Sequence, residues 1–363
     1  MKIALFYHSL ISDWNHGNAH FLRGITSELL ARGHDVTVYE PADAWSVAQL
    51  VKEEGEGAIA DFQAAYPELR SERYEALNVA EVLSGTDLIL VHEWNSHDLV
   101  RQLGEYRAAT STCRLLFHDT HHRAVTSPEE MQKYDLSNYD GVLAYGAVLR
   151  DLYLAKDWTQ RAWTWHEAAD VRMFHPHPEI ERSRDLVWIG NWGDDERTAE
   201  LEEFLLQPVR DLQLDAQIHG VRYPASAREA LAQAGIHYAG WVANFRAPET
   251  FAQFRVTVHV PRRPYVRQLP GIPTIRPFEA LACGIPLISA PWNDVEGLFR
   301  PGQDFLTAQD GQEMRKQLRG VINDQDLAAE LAANGLETIL ARHTCGHRVD
   351  ELLAIYDEIR PAA

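Results

Sequence analysis

The sequence predicts an α/β protein built from two doubly wound, Rossmann-like domains. Short apolar runs alternate with amphipathic stretches over most of its 363 residues, a length that suits two domains of ordinary size. The strand–helix beat also restarts: residues 185–190 (DLVWIG) open a second βαβ series after the first has closed near residue 165. Late in that second series, residues 274–291 (TIRPFEALACGIPLISAP) read as a loop, a short helix, a glycine stop and a buried strand.

The elements follow in order. Residues 2–7 are an apolar run of the kind that forms a buried parallel strand. A polar loop over residues 9–18 leads into a helix with Leu22, Ile25, Leu29 and Leu30 on one face. Gly33 ends that helix and residues 34–39 begin the second strand. No G-x-G-x-x-G accompanies this βαβ opening, so a dinucleotide cofactor is not indicated. Residues 42–80 are polar and helical in pattern. Residues 86–91 are the next strand, with His92, Glu93, Trp94 and Asn95 at its carboxyl end. Residues 114–117 are another, followed by His118, Asp119, Thr120, His121 and His122, and residues 140–144 are one more. Ligands of open α/β sheets lie outside those carboxyl ends. Residues 163–176 read as the crossover, and strands at 217–220, 236–240 and 256–260 continue the second series. Helices are expected at 315–322, 327–340 and, amphipathically, 348–359.

With 45% apolar and 24% charged residues the composition is that of an ordinary globular protein. A net charge of −19 argues against nucleic acid or an anionic membrane as the main partner, because both demand a basic footprint. Against that background residues 250–278 hold five arginines (Arg255, Arg262, Arg263, Arg267 and Arg276) and no carboxylate, a pattern that suits a small polyanion such as a nucleoside diphosphate. Three widely spaced cysteines, Cys113, Cys283 and Cys345, suggest no disulfide framework. The first ten residues read as a strand rather than a signal peptide, and no apolar run approaches ~18 residues. A cytoplasmic protein is the expectation.

In the stretch from Thr274, Pro277 stands at the expected first helical position and Gly284 just past the last. A helix N-terminus can hold a phosphate, Glu279 in the first turn can accept two ribose hydroxyls, and Arg276 adds a fork for diphosphate oxygens. FEALACGIPLI resembles the nucleotide-binding helix of GT-B glycosyltransferases, and TIRPFEALACG is most similar to their CgeB-type branch. The chain departs from the family 4 enzymes, which carry a second Glu eight positions earlier; here that position is Gly271.

The resemblance implies two Rossmann-like domains facing a cleft and the transfer of a sugar from a nucleotide-sugar donor. The acceptor would be a small molecule, a glycan or a lipid-linked species. An acceptor-binding domain over residues 1–165, a donor-binding domain over 166–345 and a helix over 346–363 crossing back to the first are expected. HGNAHFLRGITSELLARGHDVTVYE resembles the first loop and helix of the fold, whose loop carries His16, Gly17 and Asn18. By the same resemblance Glu279, with Phe278 beside it, holds the ribose, and Asn191 and Arg197 stand where family 4 enzymes place a basic pair for the diphosphate. Gly17 is placed with the donor as well. His16 occupies roughly the place of a catalytic His, with His20 its rival, and imidazole chemistry at neutral pH suits a base. His118-Asp119 resembles a His-Asp pair whose His touches the transferred sugar, leaving Asp119 to orient or deprotonate.

No metal is expected: the only Asp-x-Asp, Asp324-Gln325-Asp326, sits at a helix start, where Asp is a good cap, and Asp194-Asp195 lacks partners. The histidines at strand ends invite a zinc or iron reading, yet no third ligand set has the spacing. Two rivals of other classes remain, a GT-B-type sugar-nucleotide epimerase and a non-catalytic nucleotide-sugar binding protein.

Overall fold

The computed structural model describes residues 1–110, 112–193 and 195–359. The chain divides into two compact units, Met1–Glu167 joined by the segment from Cys345 onward, and Ala168–Thr344.

In the first unit, seven parallel strands stand in the order β3-β2-β1-β4-β5-β6-β7. They are β1 (Lys2–Phe6), β2 (Asp35–Pro41), β3 (Ser71–Tyr74), β4 (Leu88–His92), β5 (Arg114–Asp119), β6 (Gly141–Ala144) and β7 (Ala162–Thr164). The central three, KIALF, LILVH and RLLFHD, are buried almost throughout because helices cover both faces of the sheet. Helix Ala19–Ala31 buries Phe21, Leu22, Ile25 and Leu29. It stops where Gly33 turns into the left-handed region, φ +80°, and the N–H of His34 returns to the carbonyl of Leu29 at 3.1 Å. Helix Cys345–Ile359 packs into this unit: Trp165 Nε1 donates to the Arg348 carbonyl at 2.8 Å, and Arg32 pairs with Asp350 at 2.5 Å.

The second unit repeats the plan with β8 (Arg184–Ile189), β9 (Ala216–His219), β10 (His237–Tyr238), β11 (Phe254–His259), β12 (Leu287–Ser289) and β13 (Leu306–Thr307). Their order is β10-β9-β8-β11-β12-β13. Each sheet therefore reverses direction of winding once, at β1/β4 in the first unit and at β8/β11 in the second. Those reversals are where an open α/β sheet leaves a crevice above its strand ends.

Four sequence expectations change. Residues 42–80 hold helices Trp45–Glu54 and Gly57–Ala65 but also β3, whose SERY is too polar to betray a strand; it is an edge, paired to β2 alone. β13 is likewise too short to leave a pattern. β5 runs two residues further than its apolar stretch, so His118 and Asp119 lie within the strand, in register with Leu143 and Ala144. The helix expected to open at Pro277 spans Ile275–Ala282 behind Thr274, itself at φ +57°. Glu279 is thereby moved out of the first turn. Asp324 does cap helix Gln325–Arg342, its carboxylate accepting the Leu327 N–H at 3.0 Å.

Candidate functional site

Above the β8/β11 reversal of the second unit, Arg197 folds back over the loop that follows β8. Its Nη1 donates to the carbonyl of Val260, just beyond β11, at 2.9 Å, and its Nη2 to that of Asn191 at 2.5 Å. The guanidinium carbon lies 5.0 Å from the centre of the Trp188 ring. Gly193 makes this possible: at φ +98°, a Cβ there would stand 3.0 Å from Arg197 Nε. Among the described residues no carboxylate pairs with Arg197, since neighbouring Glu196 is taken by Arg262 at 2.8 Å. Burial, then the charges of Arg262 and Arg276, push its pKa down to about 9, so it stays cationic at neutral pH. A partly buried cation whose hydrogen bonds go only to carbonyls and which is flanked by like charges is a seat for an anion.

Glu279 is linked to this charge through Arg276. Its carboxylate is 0% exposed, accepts from Asn244 Nδ2 at 2.8 Å and pairs with Arg276. That is not the solvated carboxylate of an ordinary helix start: two side chains 35 and three residues away have been spent on orienting it. Asn191 uses its side-chain oxygen to accept the Val221 N–H at 2.9 Å, which ties the loops after β8 and β9 together. Phe278, expected beside the donor, is instead a core residue. Its ring packs 5.4 Å from Phe299 and 5.5 Å from His343, because one face of the helix must point inward for the other to carry Glu279.

The run of five arginines is less open than its sequence suggests. Arg255 pairs with Asp185 at the amino end of the strands, 3.1 Å away, and Arg263 lies 3.8 Å from Glu200. Gly271, where the family 4 enzymes have a Glu, sits at φ +93° with Val295 and Glu296 against it; a Cβ would fall 2.8 Å from Val295. The backbone itself refuses a side chain there.

In the first unit, imidazoles gather above β1, β4 and β5. His8 and His16 rings stand 3.9 Å apart, His16 and His92 6.2 Å, and His92 and His118 5.5 Å. His16 Nε2 is buried with no partner. Burial, with the charges of His8 and Arg23, holds the His16 pKa well below 6.5. His118 is 0% exposed between Phe21 and Trp165, both its nitrogens without partners, and burial drops its pKa to about 3. Asp119 is fully committed on the protein side: Tyr153 Oη donates to one oxygen at 2.8 Å and the His121 N–H to the other at 3.0 Å. Gly17 is exposed in the loop before the first helix, whereas His20, the rival base, is buried inside that helix.

Several site residues escape the sequence reading. Asn244 carries no pattern that points at Glu279, and Glu196 looks like any loop acid. His8 had a signal, since it follows β1 at the carboxyl end, where strand-end position matters more than motif. Asp194, in the loop between Asn191 and Arg197, lies outside the described residues. Among the described residues no three His, Cys, Asp or Glu side chains converge as a metal site would need, and no helix is long and apolar enough to cross a membrane.

Residues 197–354 match the family described as glycosyl transferase-like. No curated protein matches the sequence. Among solved structures, the chain is similar to sucrose-phosphate synthase from Thermosynechococcus elongatus, with 14% identity, 99% of each chain covered and a TM-score of 0.69. It is similar too to Anabaena HepE in complex with UDP and glucose, with 15% identity, 99% and 100% coverage and a TM-score of 0.68. A putative UDP-N-acetylglucosamine 2-epimerase from Listeria monocytogenes shares the fold at 11% identity, 100% and 97% coverage and a TM-score of 0.59. The fold is GT-B, and fold alone spans transferases and an epimerase. The glycosyl transferase-like match covers residues 197–354, less than half of the chain.

Proposed function

We propose that the protein moves a sugar from a nucleoside diphosphate sugar to an acceptor hydroxyl without a metal, in the manner of the CgeB-type branch. The observation that carries this reading is Arg197, a partly buried cation at the β8/β11 reversal whose hydrogen bonds go to carbonyls, close enough to Arg276 to feel its charge. A diphosphate supplies the missing countercharge. Arg197 and Arg276 hold its oxygens, Asn191 shapes the loop beneath, and Glu279, preset by Asn244, accepts the ribose hydroxyls. As the bond to the sugar breaks, negative charge grows on the leaving phosphate, and fixed cations in a water-poor site stabilise it by several kcal/mol. That is the task a metal performs elsewhere.

In the first unit His118, with two orphaned ring nitrogens, is assigned to the transferred sugar, and Asp119 to fixing the turn at His121. His16 takes the acceptor proton at Nε2; its lowered pKa keeps that nitrogen free at neutral pH. Gly17 leaves the loop beside it open.

The test is a panel of UDP-, GDP- and dTDP-sugars incubated with the protein, with and without EDTA, scored by nucleoside diphosphate release. His16→Gln should bind donor as the wild type does and turn it over ~100- to 10,000-fold more slowly. Release abolished by EDTA would remove the metal-free mechanism. Sugar isomerised without release would make the protein an epimerase, and binding without either product a carrier.

A further inference from the structure

Three buried side chains of the first unit, given no part in the reaction so far, stand in a line. Thr120 Oγ1 lies 3.2 Å from Glu93 Oε1 and 3.0 Å from His92 Nε2. The other oxygen of Glu93 is occupied: Arg123 Nη2 donates to Oε2 at 2.6 Å and to the Glu93 carbonyl at 2.7 Å, and Tyr134 Oη donates to that carbonyl as well. Oε1 is thus turned toward Thr120. At the far end His92 Nδ1 is buried without a partner, and the whole His92 side chain is enclosed.

A hydroxyl has one proton to give, and that fixes how the line can be wired. When Glu93 is ionised it can only accept, so Thr120 donates to it. Thr120 oxygen then accepts, His92 carries its proton on Nε2, and Nδ1 presents a lone pair. When Glu93 is protonated every bond reverses. The carboxyl donates to Thr120, Thr120 donates to Nε2, and the ring proton sits on Nδ1. The two states differ by one proton that enters at Nδ1 and ends on Glu93, and no imidazolium is formed.

We propose that Glu93, Thr120 and His92 form a proton relay that takes up the proton released by the acceptor, with entry at His92 Nδ1 and storage on Glu93 Oε1. The inference rests on the transfer reaction proposed above. In that reaction the acceptor O–H bond breaks, its electron pair forms the bond to the anomeric carbon, and the bond to the diphosphate oxygen breaks with its pair leaving on the diphosphate. The proton goes to His16. His8, its ring centre 3.9 Å from that of His16 and 5.9 Å from that of His92, is assigned to hand it inward. Glu93 and Thr120 are positioning residues: they act through the histidines.

The surroundings explain why storage on a carboxylate is favoured. Around His92 stand His8, His16, His118 and Tyr7; around Glu93 stand Arg123, Asp119, Tyr134 and Tyr153. Burial, then the charges of His118, His8, His16 and Arg123, hold the His92 pKa well below 6.5, so a cation there is costly. Burial raises that of Glu93 in spite of Arg123, which readies it to take a proton.

The experiment reads the relay directly. In the full chain with ¹⁵N-labelled histidine, the His92 ring signals are identified by their loss in His92→Gln, and the tautomer is followed with pH. The relay requires Nε2–H on the alkaline side of one titration and Nδ1–H on the acid side, with the ring neutral throughout. Thr120→Val should abolish the switch and Thr120→Ser keep it. Nucleoside diphosphate release should fall ~10-fold or more in Thr120→Val at unchanged donor affinity, and stay within about threefold in Thr120→Ser. A wild-type tautomer that ignores pH, or a Thr120→Val protein that switches or turns over like the wild type, overturns the relay. If no donor is turned over at all, the transfer reading fails, and the tautomer titration still decides the wiring.

Discussion

Replacing Glu279 by Gln tests the donor site at its most enclosed point. In the free protein one carboxylate oxygen accepts from Asn244 at 2.8 Å and the other is held by Arg276. An amide keeps the shape but turns one acceptor into a donor, so a ribose offering two hydroxyls loses a charged acceptor. Hydrogen bonds to charged groups contribute about 1.5–3 kcal/mol, which converts to a roughly 10- to 150-fold rise in Kd. The stability loss should be smaller, about 1 kcal/mol, because Arg276 is partly exposed and solvent screens the pair. Titration calorimetry with UDP and 2′-deoxy-UDP on both proteins closes a cycle. If Glu279 grips the ribose, removing the 2′-hydroxyl weakens binding to the wild type and changes little in the variant. A folded Glu279→Gln protein that binds UDP as tightly as the wild type would refute the assignment.

Arg197→Met should weaken nucleoside diphosphate binding by an order of magnitude or more while leaving nucleoside binding nearly unchanged; equal loss of both would show that Arg197 supports the loop and not the phosphates. Gly271→Glu, which restores the acid that family 4 enzymes carry, should lower thermal stability by about 1–3 kcal/mol because φ +93° is closed to side chains, and should gain no activity. Acid should destabilise the protein. His8, His16, His92, His118, His219 and His259 all have folded-state pKa values below the ordinary 6.5, so the unfolded chain binds more protons as pH falls below 6.5. Each such ring costs about 1.4 kcal/mol by pH 5.5. Asp119 and Glu93, raised by burial, work in the opposite direction but are two against six. Melting temperature should therefore drop between pH 6.5 and 5.5, and a flat profile there would contradict the neutral burial of these rings.

What the sequence revealed and concealed follows from what each feature depends on. The β1, β4, β5 and β8 strands were legible because burial on both faces writes itself as an unbroken apolar run. Helix Ile275–Ala282 was legible as a motif, but its start was not. The turn at Thr274 is set by backbone geometry that the letters do not record, and reading Pro277 as the first residue put Glu279 two positions too close to the helix start. His118 and Asp119 were found by position, yet their enclosure was invisible. Phe21, Trp165 and Tyr153, which cover or bind them, come from distant parts of the chain. The arginine cluster misled for the same reason: its acidic partners, Asp185, Glu196 and Glu200, precede it by dozens of residues. Asn244 and the Glu93–Thr120–His92 line are tertiary facts, with no local spacing to announce them.

Because its last helix arrives some 180 residues after Trp165, the first unit cannot be finished until the second has been synthesised. A ribosome delivers the sheet from β1 to β7, then an entire intervening fold, and only then the piece that covers helix Ala19–Ala31 and satisfies the indole of Trp165. Until that moment the newborn half presents a bare apolar stripe and an indole N–H without its carbonyl. Quality control has its longest opportunity there, and premature termination near residue 345 would release a finished rear half attached to an unfinished front.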